Sequence, residues 1–324
     1  MSVESDTTLD DLDRRIVSAL QIDGFAPVAR IGEVLGVSGR TISRRLSRLT
    51  RSARLLVTRV PARTSYPADA SMVLRAKVLR GRIDSIADAL ARRPDVPFVD
   101  ITLSGDEIVA LAIADPHARD RLIYEQLPAS SAVVSTTALS VLHVFADAAD
   151  WRAGYLTPDE IAGLTPPAAT EPAAPDDADI HLLTELTRDA RLGISVLATA
   201  TGQSESTVRR RLHRLRAMGL LRTHVSIDSA LMGYPVDAHI WMSVSPGRLH
   251  DTGLQLASDH RIHGVMATTG PTNLLATVFC RNLPGLYAFV TDTLGPLDIA
   301  TVDTSVVGRA VQRAGYRGAT IRSW

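Results

Sequence analysis

Residues 36–49 read GVSGRTISRRLSRL, and residues 202–215 repeat the pattern as GQSESTVRRRLHRL. In each stretch a glycine is followed two residues later by serine, and apolar side chains then recur every three or four residues among arginines. Glycine permits a left-handed turn, and serine can accept a hydrogen bond from the free amides of a following helix. Each stretch therefore predicts a turn followed by an amphipathic helix.

Flanking segments complete a three-helix unit around each turn. In the first half, the spacing of apolar residues predicts helices over Leu12–Gln21, Val28–Leu35 and Ser38–Ser52. Two helices joined by a short glycine turn and supported by a preceding helix make up a helix-turn-helix. Matching residues recur 166 positions later, from Asp179 to Leu215. The chain is therefore interpreted as a tandem duplication with two helix-turn-helix units.

The last helix of each predicted unit carries positive charge with no negative charge beside it in the sequence. Ser38–Arg59 contains seven arginines and no acidic residue, and Ser206–His224 contains six arginines, two histidines and no acidic residue. Because the whole chain has zero formal net charge, this local segregation favours a surface for DNA phosphates over an ordinary solvated face. The predicted DNA-binding residues are Ser38, Arg40, Thr41, Arg44, Arg45, Ser47, Arg48 and Arg51 in the first copy and Ser204, Ser206, Thr207, Arg210, Arg211, His213 and Arg214 in the second.

Comparison of the outward positions of the two helices gives a hypothesis about the operator. Arginines shared by the two copies would make contacts common to both half-sites, and positions that differ would make the operator an imperfect palindrome. The shared pairs are Arg44 with Arg210 and Arg48 with Arg214, and the differing pairs are Arg40 with Ser206 and Arg51 with Ala217. The sequence does not assign individual arginines to base or phosphate.

A second module follows each helix-turn-helix, and the predicted fold class is α+β. After a linking strand over Leu55–Val60, the order strand, helix, two strands, helix, strand is the ferredoxin-like arrangement. Helices cover one face of such a sheet, so the other face needs a partner, within the chain or between chains. The predicted elements are Ser71–Leu79, Arg82–Arg93, Val96–Leu103, Glu107–Ala114, His117–Leu127 and Val133–Phe145, then Val236–Val244, Leu249–His260, Ile262–Thr268, Asn273–Cys280, Leu283–Leu294 and Ile299–Val307.

These elements predict five segments along the chain. Helix-turn-helix domains are expected over 8–60 and 178–226, and ferredoxin-like effector or oligomerisation domains over 66–146 and 234–318. The remaining segment, 147–177, is rich in proline towards its end and is predicted to be a linker. Within it, Thr157 and Glu160 have the spacing of a capping box and predict one short helix.

The order of these domains resembles the leucine-responsive/asparagine-regulator (Lrp/AsnC) family of bacterial transcription factors, in a double-length form. The residues that carry the resemblance are Leu12-Asp13, Gly36-Val37-Ser38, Arg44-Arg45-Leu46 and Leu49, with Gly202, Ser204, Arg210-Arg211-Leu212, Leu215 and Gly219-Leu220-Leu221 in the second copy. The resemblance implies a sequence-specific DNA-binding regulator with a dimer-like core, assembly into a homo-oligomer, and control by an amino acid or a related small metabolite.

The resemblance also implies a position for the effector, at the turn between the two central strands of each ferredoxin-like module. The matching residues are Ser104, Gly105, Asp106 and Glu107 in the first copy and Thr269, Gly270, Thr272 and Asn273 in the second. A carboxylate such as Asp106 could hold an α-amino group. The second turn has no carboxylate, which leaves open a site in one half, a different ligand, or two plain hairpin turns.

The residues indicate no catalytic constellation, no metal site and no cofactor. His260 and His263 have a metal-like spacing but lack a third ligand, and they are interpreted as a solvated pair. The lone cysteine, Cys280, lies in an apolar strand and is expected in the core. With no signal peptide and no membrane-length apolar run, we expect a cytoplasmic protein without membrane contact.

Two alternatives to a regulator remain. Some tetrapyrrole (siroheme-type) decarboxylases resemble the same double-length architecture, but they would need a cluster of histidine with arginine or tyrosine on the central strands, where Ile262–Ala267 offers His263 alone. The other alternative is a metabolite-binding co-regulator that has lost DNA binding. Acid-free recognition helices argue against both.

Overall fold

The protein is described from a computed structural model, which covers residues 9–52, 55–61, 71–113, 116–169, 174–313 and 316–317. Helices α1–α11 are Asp11–Ile22, Val28–Leu35, Gly39–Arg51, Ile83–Ala91, Pro116–Asp120, Pro158–Leu164, Asp177–Leu186, Ile194–Thr201, Glu205–Ala217, Leu249–Ala257 and Leu283–Ala288. Strands β1–β11 are Leu55–Val60, Ser71–Val78, Phe98–Thr102, Glu107–Ile113, Val133–Ala146, Arg222–Ile227, Val236–Val244, Ile262–Thr268, Leu274–Cys280, Ile299–Arg313 and Tyr316–Arg317. Helices α5 and α11 continue into π-helical segments over Arg121–Gln126 and Phe289–Leu294.

The chain forms two compact units, and each draws on both sequence repeats. The helix-turn-helix unit comprises Met1–Ala62 and Arg152–Met232, and the sheet unit comprises Arg63–Trp151 and Gly233–Trp324. Both helix-turn-helix motifs therefore lie in one unit and both ferredoxin-like modules in the other. The five segment boundaries expected from the sequence remain predictions.

Each helix-turn-helix forms where the sequence predicts it. Gly36 and Gly202 adopt φ values of 70° and 66° at the ends of α2 and α8, the left-handed conformation that glycine tolerates. Ser38 and Ser204 then cap α3 and α9. Apolar side chains spaced three or four apart line the two small cores, among them Ile16, Leu20, Ile31, Ile42 and Leu49 in the first copy and Leu182, Leu186, Leu197, Val208 and Leu215 in the second.

Strand pairing ties the two motifs into one unit. The linking strand β1 pairs antiparallel with β6, so that Val57 lies opposite Val225. The sequence predicted β1 but not β6, and it gave no sign that the two strands would pair with each other. Across this pairing, the guanidinium of Arg191 donates to the carbonyls of Gly24 and Ala26 at 2.8 and 3.0 Å.

The sheet unit is a single closed sheet built from both ferredoxin-like modules. Its strand order is β11-β10-β3-β4-β2-β5-β8-β9-β7, and β7 pairs again with β10 to close the ring. Helix α4 and the π-helical segment Arg121–Gln126 cover the core of the first module, and α10 and α11 cover that of the second. The two bare sheet faces meet inside the ring around a shared apolar cluster of Val73, Val109, Leu139, Val141, Trp241 and Leu275. The modules therefore pair within one chain, a possibility that the sequence left open.

Two features differ from the sequence-based expectation. Strand β10 runs to Arg313 rather than ending near Val307, because its last residues pair with β3 of the first module. In the segment 147–177, Thr157 and Glu160 form the predicted capping box of α6, but Trp151 and Ala153 are buried. Arg15 pairs with Glu160, which brings α6 onto α1. Ala114, the expected end of β4, lies outside the described residues.

Candidate nucleic-acid interface

Helix α3 buries one side and exposes the other, as its sequence predicts. Ile42, Leu46 and Leu49 are buried, whereas Arg40 and Arg44 are exposed. The Oγ of Ser38 accepts a hydrogen bond from the amide of Thr41 at 3.1 Å, so both residues take part in forming the helix end. In α9, Ser204 accepts from the amide of Thr207 at 3.2 Å.

Two arginines of α3 are held by carboxylates from the start of α1. Asp13 is 1% exposed and lies between the two guanidinium groups, with its oxygens 3.0 Å from Nη1 of Arg45 and 2.5 Å from Nη2 of Arg48. Arg45 also pairs with Asp10, and this hydrogen bond holds the pKa of Asp10 below its usual value. Asp10 and Asp13 form the capping box of α1. The first helix thus fixes the rotation and position of the recognition helix.

The second copy repeats this arrangement at equivalent positions. Asp176 and Asp179 form the capping box of α7, and Asp179 is fully buried. Nη1 of Arg211 lies 2.8 Å from an oxygen of each carboxylate, and Arg214 pairs with both. The hydrogen bond from Arg211 is the main reason why the pKa of Asp176 is lowered. We call these two networks the aspartate clamps.

The clamps correct the expectation that the whole arginine face is free. The sequence around each helix lacks acids, but the fold brings carboxylates from 35 residues upstream, as in the contact of Asp13 with Arg48. Arg45, Arg48, Arg211 and Arg214 are therefore ion-paired, although Arg48 and Arg214 remain 49% and 45% exposed.

The arginines that remain exposed and without an ion pair differ between the two recognition helices. Within the described parts of the chain, Arg40, Arg44 and Arg210 make no ion pair and no side-chain hydrogen bond. Arg51 is exposed and donates only to the carbonyl of Ser47 in its own helix. In α9, by contrast, two further arginines form ion pairs, Arg209 with Glu205 and Arg216 with Asp23. The predicted polar residues Ser47 on α3 and Ser206 and His213 on α9 are exposed.

In the expected effector turn of the first copy, some groups are accessible to a ligand and others already bond to protein groups. Gly105 has a φ of 74°, and Ser104 is exposed and donates to Oδ1 of Asp106 at 2.5 Å. Glu107 is buried and accepts from Arg75 at 2.9 and 3.2 Å. Ser104, Gly105 and Asp106 therefore have groups accessible to a ligand, and the carboxylate of Glu107 has a protein partner.

In the corresponding turn of the second copy, more of the groups bond to or pack against other protein groups. The side-chain amide of Asn273 bonds both the N–H and the carbonyl of Val244, at 2.9 and 2.8 Å. The hydroxyl of Thr269 accepts from the amide of Ser140 at 3.0 Å. Gly270, with a φ of 100°, packs so closely on Leu139 that a Cβ there would lie 2.7 Å from its Cδ2, and Thr272 bonds Thr268 through its carbonyl.

A buried ionic cluster inside the closed sheet was not predicted from the sequence. Nε2 of His239 lies 3.0 Å from Oδ2 of Asp100, whose Oδ1 is 2.8 Å from Nη2 of Arg313. Arg313 also pairs with Asp237, and its guanidinium lies 4.0 Å from the ring centre of Phe98. Burial raises the pKa of Asp237 to about 6. The residues lie on strands from both modules, so no local pattern could indicate their meeting.

The remaining titratable candidates have structural positions. His260 is exposed, but His263 is buried 4.5 Å from the ring of Phe279, so the interpretation of a solvated pair is wrong for His263. Cys280 is buried as expected, and burial raises the pKa of its thiol. Among the described residues, no three His, Cys, Asp or Glu side chains are grouped to hold a metal ion, and no helix is both long and apolar enough to cross a bilayer.

Family comparisons identify the domains by sequence. The AsnC-type helix-turn-helix domain matches residues 9–50 and 176–216, and the Lrp/AsnC ligand binding domain matches residues 237–315. An uncharacterized HTH-type transcriptional regulator of Pyrococcus furiosus is 29% identical over 143 residues, which cover 44% of this chain and 96% of the relative. The HTH-type transcriptional regulator AldR of Mycobacterium tuberculosis is 28% identical over 141 residues, covering 42% of this chain and 79% of AldR. Each relative thus corresponds in length to about one half of the chain.

Two solved structures of one protein, siroheme decarboxylase NirDL, are similar over nearly the full length. The siroheme decarboxylase NirDL, in co-complex with an iron-uroporphyrin III analogue, has a TM-score of 0.60, covers 95% of this chain and is itself covered to 94%. Sequence identity is 12%, so the likeness shows a shared two-repeat fold and nothing about chemistry.

Proposed function

This chain belongs to the Lrp/AsnC family of transcriptional regulators, and we propose that it acts by placing α3 and α9 against double-stranded DNA. The observation that carries the proposal is the pair Arg44 and Arg210. They occupy equivalent positions on the two recognition helices, both are exposed, and neither has a partner among the described residues. Long cations without a protein partner are suited to phosphate oxygens and guanine edges.

In this proposal the aspartate clamps position the helices, and the unpaired arginines contact DNA. A recognition helix must hold its orientation to present side chains to base edges. Asp13 and Asp179 supply this by tying Arg48 and Arg214 to the first helix of each motif. The half-exposed guanidinium groups of these two arginines still face outward, where one edge can reach a phosphate.

We further propose that the two half-sites are unequal. The first copy presents Arg40, Arg44 and Arg51, whereas the second presents Arg210 with the neutral Ser206 and the imidazole of His213. Each phosphate neutralised by an arginine steepens the salt dependence of binding by about 0.9 in log–log slope. The first recognition helix is therefore expected to supply more of the electrostatic affinity, and the operator to be an imperfect palindrome.

For the effector we propose a small amino acid or related metabolite at the first turn, held by Asp106 and the backbone beside Gly105. The second turn is less suited, because Asn273 already bonds the backbone of Val244. The Lrp/AsnC ligand binding domain, which matches residues 237–315 of the second module, supports an effector of this kind in the chain, and the choice of the first turn rests on its accessible groups. Assembly of the chain into a homo-oligomer and a cytoplasmic location belong to the same proposal.

We propose that the chain is not an enzyme, in spite of the fold that it shares with siroheme decarboxylase. His239 and Arg313 do lie together, but both are paired with Asp100, and His239 is buried while Arg313 is 17% exposed. The competing activity is tested by adding siroheme to the purified protein and following the absorption spectrum and the product mass. We expect no decarboxylated product.

DNA binding is tested by fluorescence anisotropy with the chain's own upstream region and with a scrambled duplex. Wild type is expected to prefer the upstream duplex, and Arg44→Ala with Arg210→Ala to lose that preference while staying folded. Arg209→Ala is the matched control, because it removes one arginine of α9 that is paired with Glu205. Equal affinity of wild type for both duplexes would contradict the proposal.

A further inference from the structure

The two ferredoxin-like modules meet through strand pairs that are equivalent to each other. Strand β5 pairs with β8 so that Val141 lies opposite Thr268, and β10 pairs with β3 so that Val307 lies opposite Thr102. Both pairs are related by the 166-residue repeat. The backbone of this interface is therefore close to twofold symmetric, and each of these strand pairings has a counterpart 166 residues away.

The side chains break that symmetry at one buried contact. Asp100 of β3 lies 3.0 Å from His239 of β7, and both are almost completely buried. The residues 166 positions away are Met266 and Val73, which belong to the apolar cluster between the sheets. One of two equivalent places therefore holds a hydrogen-bonded polar pair and the other an apolar pair.

A second contact between the modules joins two residues that occupy equivalent positions in the two copies. The guanidinium of Arg75 stacks 4.6 Å from the ring centre of Trp241, and these two residues are themselves 166 positions apart. Arg75 also bonds Glu107 of its own module at 2.9 Å and reaches Asp303 of the other at 3.3 Å. The cation and its aromatic partner are thus supplied by different modules.

We infer that each bare sheet face is built to accept the other module and to reject a second copy of itself. Two first modules paired face to face would bury Asp100 against Val73 and bring Arg75 against another Arg75. A buried carboxylate without a partner and two facing cations are both strongly unfavourable. Two second modules would place His239 against Met266 and lose the cation from Trp241. The partner that this surface fits is the other half of the same double-length chain, and this specificity is independent of DNA binding.

Disulfide trapping in the full chain distinguishes the two kinds of pairing. Thr102→Cys with Val307→Cys places cysteines on neighbouring strands of different modules, as observed here. Thr102→Cys with Val141→Cys is the matched control, because these positions would be neighbours only if two first modules paired. The first pair is expected to oxidise to a disulfide, identified by peptide mass, and the second is not. A disulfide between Thr102→Cys and Val141→Cys, or none in either variant, would overturn the inference.

A stability cycle tests the reason for the specificity. His239→Val places a valine against Asp100, as self-pairing would, while Arg313 keeps its pair with Asp100, and we expect the substitution to lower the Tm by about 5 °C or more. Adding Asp100→Met converts the contact to the Val–Met composition of its counterpart and is expected to recover at least half of the loss. Recovery of less than half, or no loss on His239→Val, would show that the contact between His239 and Asp100 does not select the partner.

Discussion

Removal of one clamp carboxylate by Asp13→Ala should weaken the fold and strengthen non-specific DNA binding at the same time. Asp13 is 1% exposed and serves the capping box of α1 as well as Arg45 and Arg48. The two arginines are 23% and 49% exposed, so both can be rehydrated once the carboxylate is gone. Because the arginines are partly hydrated already, their hydrogen bonds to Asp13 contribute less than fully buried ones would. The expected loss in free energy of unfolding, including that of the helix cap, is about 2–3 kcal/mol.

For the helix-turn-helix unit that loss corresponds to a fall in Tm of about 5–10 °C. The same change leaves Arg48 without an ion pair, whereas Arg45 keeps Asp10, so the log–log salt slope for a random-sequence duplex should steepen by about 0.9. Thermal denaturation followed by circular dichroism measures the first effect, and a titration series between 50 and 200 mM salt, over which affinity changes strongly, measures the second.

Asp11→Ala provides the control, because Asp11 lies in the same helical turn and is exposed. It removes the same charge without touching α3, and it should change neither Tm nor slope to a comparable extent. If Asp13→Ala and Asp11→Ala behave alike in both assays, the clamp does not hold the recognition helix. Asp179→Ala and Asp177→Ala give the corresponding comparison of Tm in the second copy, where Arg211 and Arg214 both keep Asp176 as a partner.

Three further results are expected. Arg44→Ala should reduce the salt slope on the operator by about 0.9, and Arg40→Ala should reduce it again, whereas Ser206→Ala at the equivalent position should leave it unchanged; equal slopes in all three would contradict the unequal half-sites. Because burial raises the pKa of Asp237 from 3.8 to about 6 beside Arg313, Asp100 and His239, the folded chain binds that proton more tightly than the unfolded chain. The contribution of Asp237 to stability is thus largest below pH 4 and is lost as the pH rises through 6. In urea unfolding, the free energy of unfolding of Asp237→Asn should therefore rise by about 3 kcal/mol relative to that of wild type between pH 4 and pH 7. A difference that stays constant with pH would refute this. Asp106→Ala should abolish effector binding in calorimetry with the twenty amino acids, whereas Thr272→Ala should not; an unchanged isotherm for Asp106→Ala would remove the proposed site.

The sequence was sufficient for most elements because they depend on local patterns, but it did not indicate β6. Gly36 and Ser38 specify a turn and a cap within three residues, and the strands and helices of both modules follow from their apolar spacing. The closed sheet could not be predicted from the sequence in the same way. Its pairing of β10 with β3 joins residues about 200 positions apart, and nothing in the strand sequences states which face meets which.

The exposed and buried sides of the recognition helices were predicted in outline, but the ion pairs of their arginines were missed. A helical projection places Arg48 outward, but it takes no account of a long side chain that reaches back to a neighbouring helix. A signal was present. Asp10 and Asp13 precede Arg45 and Arg48 by 35 residues, and the second copy repeats both spacings with Asp176, Asp179, Arg211 and Arg214. Repetition of charged pairs at one separation indicates a contact, and it distinguishes clamped arginines from Arg44 and Arg210.

Affinity cleavage measures most directly whether the recognition helices lie against DNA. An iron chelate is attached to Ser43→Cys on α3 or Ser206→Cys on α9, both exposed positions, and to Ser258→Cys in the sheet unit as a control. The account predicts strand cleavage at two separate positions of the upstream duplex, one for each helix. Cleavage no stronger than that from Ser258→Cys would contradict it.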